Sequence, residues 1–517
     1  FSSEPHFGIM GLFYDITPII QRFGHPKSYI ITHAHRDHIG ALTYFLERWP
    51  APIFATPWTI QYIKSDIESS KRIHTSEALQ EVRVGSSFSV GCLQCEYISV
   101  NHSIPESQSL FIQTPYHRIA HSGDFKIDHE TSLETMADLQ RWQELASEKQ
   151  IDVMLCDSTN AHRQGHSPSE EMTKSSLSQV IGEAKGRVFI ATFSSNLWRL
   201  IHIVETAKAH GRHVEVLGFG MQRTLALAEH FGIYQGYDSP KSHTSTGSEV
   251  YVVSGSQMEP GSVLSRVIAG NYGDLIVANG DTVIFSSRTI PGHERALNQA
   301  VSQIMWRGGS VVTLKTHENI HVSGHGYATD IDILESVISP RYFIPVHGEL
   351  SHLISNAKGR TKSDVFLWKN LNGCLLKGED IYPFALAETF KQIAIDKDYS
   401  ELPEAALRER RKLARQGVLW LSGIYHLGRK LFTYGPIFDG LGVGKGHLFE
   451  TMTHDLTNYV HDSIEIWFEK MAAKELNLAP ESEDIDAMIK FLKARVESYL
   501  QQNYHIKTWV RPHIGFV

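Results

Sequence analysis

The stretch Ile30-Ile31-Thr32-His33-Ala34-His35-Arg36-Asp37-His38-Ile39-Gly40 constrains this chain more than any other. The apolar run ending at Ile31 reads as a buried strand. Ile39, Leu42, Phe45 and Leu46 then recur at helical spacing, which puts the cluster on a strand-to-helix turn. His33, His35, Asp37 and His38 bring three imidazoles and one carboxylate together within six residues. Neutral imidazole and carboxylate are ligands for zinc and other divalent transition metals, and a set without cysteine suits a catalytic site better than a structural one. A histidine-rich surface turn is the bland alternative, and partners further down the chain weigh against it.

At 517 residues the chain exceeds one ordinary core, so about two to four domains are expected. A hydrophobic fraction of 42% with 21% charged residues describes a globular chain. No apolar run approaches the roughly 18 to 20 residues needed to span a bilayer, and residues 1 to 40 lack the basic-then-apolar order of a secretory signal, so a cytoplasmic address is expected. The chain opens at Phe1 with no Met, which leaves room for a missing start. Lys plus Arg is 49 and Asp plus Glu is 57, hence 49 − 57 = −8, which argues against a surface that coats polyanions generally. A nucleic-acid substrate would need a local basic or metal-lined groove. Cys92 and Cys95 have the spacing of half a zinc site, but Cys156 and Cys374 supply no second pair; Cys92 and Cys95 lie in a strand-like run and read as packed thiols of a reducing compartment.

From Ile53 to His129 short β-rich runs feed polar loops, among them Asn101-His102-Ser103 and Ser122-Gly123-Asp124, and Asp157-Ser158-Thr159-Asn160 follows a further such strand. Each places a His or Asp just beyond an apolar run, where layered α/β folds build their sites. After Ser167, Pro168-Ser169-Glu170-Glu171 reads as a helix start. A second strand-and-helix alternation follows through Val188-Phe189-Ile190-Ala191, Val214-Glu215-Val216-Leu217, Val250-Tyr251-Val252-Val253 and Thr282-Val283-Ile284-Phe285. It reads as an α/β domain inserted in the first, whose loop style returns at Ile344-Pro345-Val346-His347-Gly348-Glu349. Glu401 to Arg415 reads as a charged connector helix. The remainder reads as a small α/β module with a Gly-rich loop at Gly435 to Gly446 and two amphipathic helices. Gly440-Leu441-Gly442-Val443-Gly444-Lys445-Gly446 is not a phosphate loop, because Asp439 and Gly446 stand where the first Gly and the hydroxyl belong.

Taken in order, the His33-to-His38 turn, His102, Asp124, Asp157, His325 and His347 resemble the metallo-β-lactamase fold carrying a β-CASP insertion, and within it the ribonuclease J family. The strings behind this are THAHRDHIGAL from Thr32, VNHSIPES from Val100, SGDFKID from Ser122, CDSTNA from Cys156, SGSQMEP from Ser254, GDTVIFSS from Gly280, IHVSGHG from Ile320 and IPVHGE from Ile344. The resemblance implies an α/β fold: an αββα sandwich in two parts (residues 1–165, with its amino-terminal strands missing, and 323–402) and a β-CASP domain at 166–322. A linker at 403–416 would lead to a dimerisation-type α/β domain at 417–517. It implies two divalent metal ions, zinc first and manganese or magnesium as alternatives. His33, His35 and His102 would bind one, Asp37, His38 and His347 the other, and Asp124 would bridge them. His321 and Ser323 match residues of a pocket for an RNA phosphate, with Ser286 and Ser287 as additions to it. Ala34 and Arg36 replace the Gly and acidic residue usual inside the turn, Met258 replaces a Gly, and Asp15 does not fill the place of an acidic residue that normally precedes the turn.

The chemistry expected is in-line hydrolysis of an RNA phosphodiester, with Asp37, Asp157 and His325 as catalytic residues: His325 protonates the departing 3′ oxygen or steadies the phosphate, and Asp157 orients it. An Asx cap before Ser158-Thr159 is the alternative for Asp157. Trp198 is read as core; Phe193 suits stacking, and Arg199 and Arg266 are the candidates for phosphate contact. The function expected is 5′ to 3′ exonuclease action from 5′-monophosphate ends of single-stranded RNA, plus endonuclease action, in RNA processing and decay. A DNA nuclease of the β-CASP class and a non-catalytic scaffold paired with an active paralogue are the alternatives. A homodimer or homotetramer, or a hetero-oligomer with a paralogue, is expected, with no membrane partner.

Overall fold

The computed structural model describes residues 9–70, 79–133, 136–237, 247–290, 292–386, 391–396, 400–443, 447–472 and 482–517. The chain divides into two compact units, one built on Gly11–Ile393 and the other on Ala394–Val517.

In the first unit a seven-stranded sheet runs from Asp364–Val365 through Tyr342–Val346, Val153–Asp157, Arg118–His121, Gln108–Gln113 and Leu93–Ser99 to Ser87–Val90. Its first four strands are parallel and the rest antiparallel. A three-stranded parallel sheet of Tyr29–Ile30, Ile53–Ala55 and Leu79–Glu81 carries the histidine-rich turn. That turn leads into two short helices, Arg36–Ile39 and Leu42–Arg48, rather than one continuous helix.

The chain leaves the seven-stranded sheet after Asp157 and returns to it at Tyr342. In between, Val188–Ala191, Val214–Leu217, Val250–Val253, Thr282–Phe285 and Ser310–Val312 form a separate parallel sheet. Three of its strands are buried throughout, which is why they read as unbroken apolar runs: helices cover both faces of a parallel sheet. The helix Glu170–Glu183 opens the insertion, with Ser169 Oγ accepting the Glu171 amide. One hydrophobic cluster joins Trp58, Ile60 and Ile63 of the helix Pro57–Ser70 to Leu197, Leu200 and Val204 of the inserted domain, so the two lobes share a core.

The second unit is a three-stranded sheet, in the order Leu431–Leu441, Val418–His426, Trp509–Phe516, against two helices, His447–Ala472 and Ser482–Tyr504. Met452, Leu456, Val460 and Ile464 on one helix, and Met488, Leu492, Val496 and Leu500 on the other, recur every fourth residue, and these stripes meet Leu419 and Leu421 of the central strand. The segment read from composition as a Gly-rich loop is strand as far as Leu441: Gly440 pairs with Leu419 of the strand Val418–His426, and Gly435 sits at an irregularity in that pairing. Gly444, Lys445 and Gly446 lie outside the described residues.

Candidate active site

Parallel strands end side by side, so the loops beyond their carboxyl ends meet in one crevice. Asp157, the last residue of its strand, is in register with Val346, which sets His347 beside it. The strand Arg118–His121 ends next to Leu155 and delivers Ser122-Gly123-Asp124. The turn from the smaller sheet closes the group. Asp124, 3% exposed, lies at its centre: its Oδ2 is 3.2 Å from both His38 Nε2 and His347 Nε2, 3.5 Å from His33 Nε2 and 3.8 Å from His102 Nε2. Asp37 Oδ2 stands 3.9 Å from both His38 Nε2 and His347 Nε2. His35 Nδ1 faces His33 Nε2 at 3.1 Å and His102 Nε2 at 3.0 Å.

These contacts show what the group is built to hold. His102 Nδ1 donates to the Gly324 carbonyl at 2.7 Å, so a neutral His102 turns the lone pair of Nε2 towards His35. The approach needs glycine, because a Cβ on residue 324 would lie 2.9 Å from that Nδ1. Burial pushes the pKa values of His33 and His102 well below the ordinary histidine range and that of His35 to about 3, which keeps all three rings in the ligand form. Burial also works against ionising Asp124, but His33, His347 and His38 hold its carboxyl well below the usual range. Neutral rings that aim lone pairs at one another around a carboxylate are complementary to a cation. Three groups could hold an ion, each with donor atoms within 4.8 Å of one another: His33, His35, His102 and Asp124; Asp37, His38, Asp124 and His347; Asp157, His325 and His347. The donor set fits divalent metals, with Asp124 common to the first two groups.

Asp157 serves two partners with two oxygens. Oδ1 accepts the amide of Thr159 at 2.9 Å and its hydroxyl at 2.7 Å, which is the Asx turn; Oδ2 accepts His325 Nδ1 at 2.7 Å. His325 Nε2 is 4.0 Å from Asp124 Oδ2. Burial opposes protonation of His325, yet Asp157 and Asp124 hold its pKa above the ordinary range; for His347 the Asp124 carboxylate overcomes burial and lifts the value to about 9.

Beside this cluster a cavity of about 220 Å³ is lined by Arg163, Arg288, Asn319, His321, Ser323 and Tyr327, with Glu318 also on its wall. Asn160 ties it to the cluster: its Nδ2 donates to Ser323 Oγ at 2.8 Å and to the His325 carbonyl at 3.2 Å, and its Oδ1 accepts Arg288 Nη1 at 3.2 Å. Arg163 Nη1 donates to the Tyr327 hydroxyl at 2.6 Å.

Four residues expected at a phosphate are occupied otherwise. Arg199 is 0% exposed; its guanidinium is paired with Glu170 through Nε and, at 2.9 Å, through Nη2, and its Nη1 donates to Ser286 Oγ at 2.6 Å and faces His321 Nδ1 at 3.2 Å. It braces the pocket wall instead of reaching into the pocket. Ser286 is buried with its hydroxyl donated to the Ile320 carbonyl, and Ser287 is buried between Gln257 and the Ser256 carbonyl. Arg266 is exposed on the helix Val263–Ala269, bonded to the Asn271 carbonyl and stacked on Tyr272. Trp198 is buried and donates Nε1 to the His102 carbonyl, which steadies that loop, while Phe193 meets the His321 ring edge-on at 6.3 Å. Arg163 and Arg288 were not singled out from sequence. Arg288 is the residue after Ser286-Ser287, three residues beyond the strand Thr282–Phe285.

The fold and this site define a metallo-β-lactamase scaffold interrupted by a β-CASP domain. Residues 9–187 match the beta-lactamase superfamily domain, and residues 185–304 match the ribonuclease J beta-CASP domain. A ribonuclease J of Sinorhizobium meliloti is 34% identical over 417 residues, covering 78% of this chain and 72% of the relative. Ribonuclease J proteins of Synechocystis and Helicobacter pylori are each 29% identical, over 84% and 94% of this chain and 70% and 71% of their own lengths. The chain belongs to the ribonuclease J family.

Proposed function

We propose that this protein is a metal-dependent ribonuclease that hydrolyses RNA phosphodiester bonds, working 5′ to 3′ from monophosphorylated ends and also internally, in cytoplasmic RNA processing and decay. The observation that carries this reading is the joining, through Asn160, of a histidine and carboxylate cluster to a cavity walled by Arg163 and Arg288. One set of groups suits cations that activate water, and the other suits the anion that a nucleic acid presents.

His33, His35, His102 and Asp124 would hold one divalent ion, and Asp37, His38, His347 and Asp124 a second, zinc being the first choice for so many imidazoles. Bound there, such ions would supply an activated water and charge stabilisation for an in-line displacement at phosphorus. The residues of the chain supply the rest. Asp157 fixes the His325 ring and favours its protonated form, so that Nε2 delivers a proton to the departing 3′ oxygen. Arg163, Arg288, His321 and Ser323 take the 5′-terminal phosphate, since paired guanidiniums suit phosphate geometry. Trp198 and Gly324 hold the His102 loop from either side.

End-labelled single-stranded RNA tests this reading. The 5′-monophosphate form should be degraded faster than 5′-triphosphate or 5′-hydroxyl forms; equal rates for all three would remove the pocket assignment. We also propose that the carboxy-terminal unit supports a homodimer or homotetramer, because Trp420, Ile424, Tyr434 and Ile437 are exposed on its sheet. Mass measurement of a chain ending near Leu413 should give a smaller species, and an unchanged mass would rule this out.

A further inference from the structure

Phe219 opens the helix Phe219–His230 and is 80% exposed. A single exposed aromatic is ordinary on a protein surface, so its surroundings decide whether it means anything. Two lines of contact run from it to the site described above. On one side the backbone of its neighbour Gly220 comes so close to Ser194 that a Cβ would lie 3.1 Å from the serine Oγ, and Thr224 Oγ1 donates to the Ser194 carbonyl at 2.8 Å. Ser194 follows Phe193, whose ring meets His321 of the arginine-lined cavity. On the other side Arg223, one turn after Phe219 and on the same helix face, donates to Ser65 Oγ at 3.0 Å and lies over the Tyr62 ring at 4.3 Å. Asp66, next to Ser65 on the helix Pro57–Ser70, pairs with Arg36, the residue between His35 and Asp37. The Arg36 side chain remains 59% exposed. The start of the helix Phe219–His230 is therefore linked through its neighbours to the phosphate cavity on one side and, through Ser65 and Asp66, to the metal turn on the other.

Resting on the ribonuclease reading, we propose that Phe219 is a stacking platform for a base of single-stranded RNA, with Arg36 and Arg223 meeting the adjoining phosphates. Aromatic faces beside cations suit single strands because every base offers a π-face, and such contacts tolerate any sequence.

Steady-state cleavage of an unstructured, 5′-monophosphorylated RNA of about twenty nucleotides by the metal-loaded protein tests this. Phe219→Ala should raise KM about tenfold, the scale of one lost base stack, with the loss carried by KM more than by kcat. Phe219→Tyr, which keeps the ring, should retain the wild-type KM. Thermal melting of both variants separates a lost contact from a lost fold. A folded Phe219→Ala protein with the wild-type KM would overturn the proposal and assign Phe219 to a protein contact. Equal defects in the Ala and Tyr variants would overturn it too, because a platform needs only the ring. If the wild-type protein leaves the RNA intact, the ribonuclease reading itself falls, a result distinguishable because no variant enters it.

Discussion

The imidazole cluster and the neighbouring arginine cavity are joined by Asn160, yet they are opposites electrostatically. The first gathers His33, His35 and His102, rings that burial keeps neutral, around Asp124, a carboxylate held ionised despite its burial. The second gathers Arg163 and Arg288 with one carboxylate, Glu318, on the wall. On the proposed function the first would hold cations and the second an anion, and a polyanion hydrolysed by metal chemistry is the substrate that would use both. The overall charge of −8 gives no hint of this, because Arg163 and Arg288 are a local pair in a chain with more acidic than basic residues.

The contrast can be broken from either side. The largest effect should come from Asp124→Ala, which removes the carboxylate common to two of the ion-holding groups: metal analysis should show loss of stoichiometric metal, and RNA cleavage should fall below detection. Next is His325→Ala, which should lower kcat by roughly a hundred- to ten-thousandfold, the usual range for a lost general acid, while metal content is retained. Glu170→Gln acts on the cavity from behind. It leaves Arg199 buried without its ionic partner, and chemical denaturation should show a loss of about 3 to 5 kcal/mol. Arg288→Ala should be milder, reducing the preference for a 5′-monophosphate about tenfold to a hundredfold, the scale of one hydrogen bond to a charged group. Rate ratios for 5′-monophosphate and 5′-hydroxyl RNA would measure it, and an unchanged ratio would move the anion site elsewhere.

The smallest effect is one of pH. Burial alone would raise the pKa of Asp128, but Lys126, 2.9 Å away and itself buried, holds it below the ordinary carboxylate range. A carboxyl depressed in the folded state contributes stability above its unfolded pKa and loses that contribution as pH falls through the folded value. Asp128 also accepts the Glu170 amide where the inserted domain begins, so acid should loosen this joint, and Asp128→Asn should flatten the acid limb of the stability profile.

Much of the imidazole cluster was legible because its residues stand directly after apolar runs, and period and punctuation locate strand ends without a structure. The parallel inserted sheet was legible for the same reason: strands buried on both faces leave unbroken apolar runs such as Val188 to Ala191. The cavity was not. Arg199 read as a phosphate contact because an arginine after an aromatic looks the same whether its partner is a ligand or Glu170, and only the packing of two helices reveals which. Arg163 and Arg288 carry no periodic signal and converge only when the loop after Asp157 meets the loop after Phe285. The strand at Gly435 to Leu441 was hidden because its glycines imitate a loop, while the cross-strand pairing that holds it involves backbone alone.

The most direct test of the central claim is nucleotide release from a 5′-monophosphorylated single-stranded RNA by the wild-type protein, before and after dialysis against a chelator and again after zinc or manganese is restored. The account predicts cleavage that the chelator abolishes and the restored ion recovers. Cleavage indifferent to the chelator, or none with any ion, would contradict it.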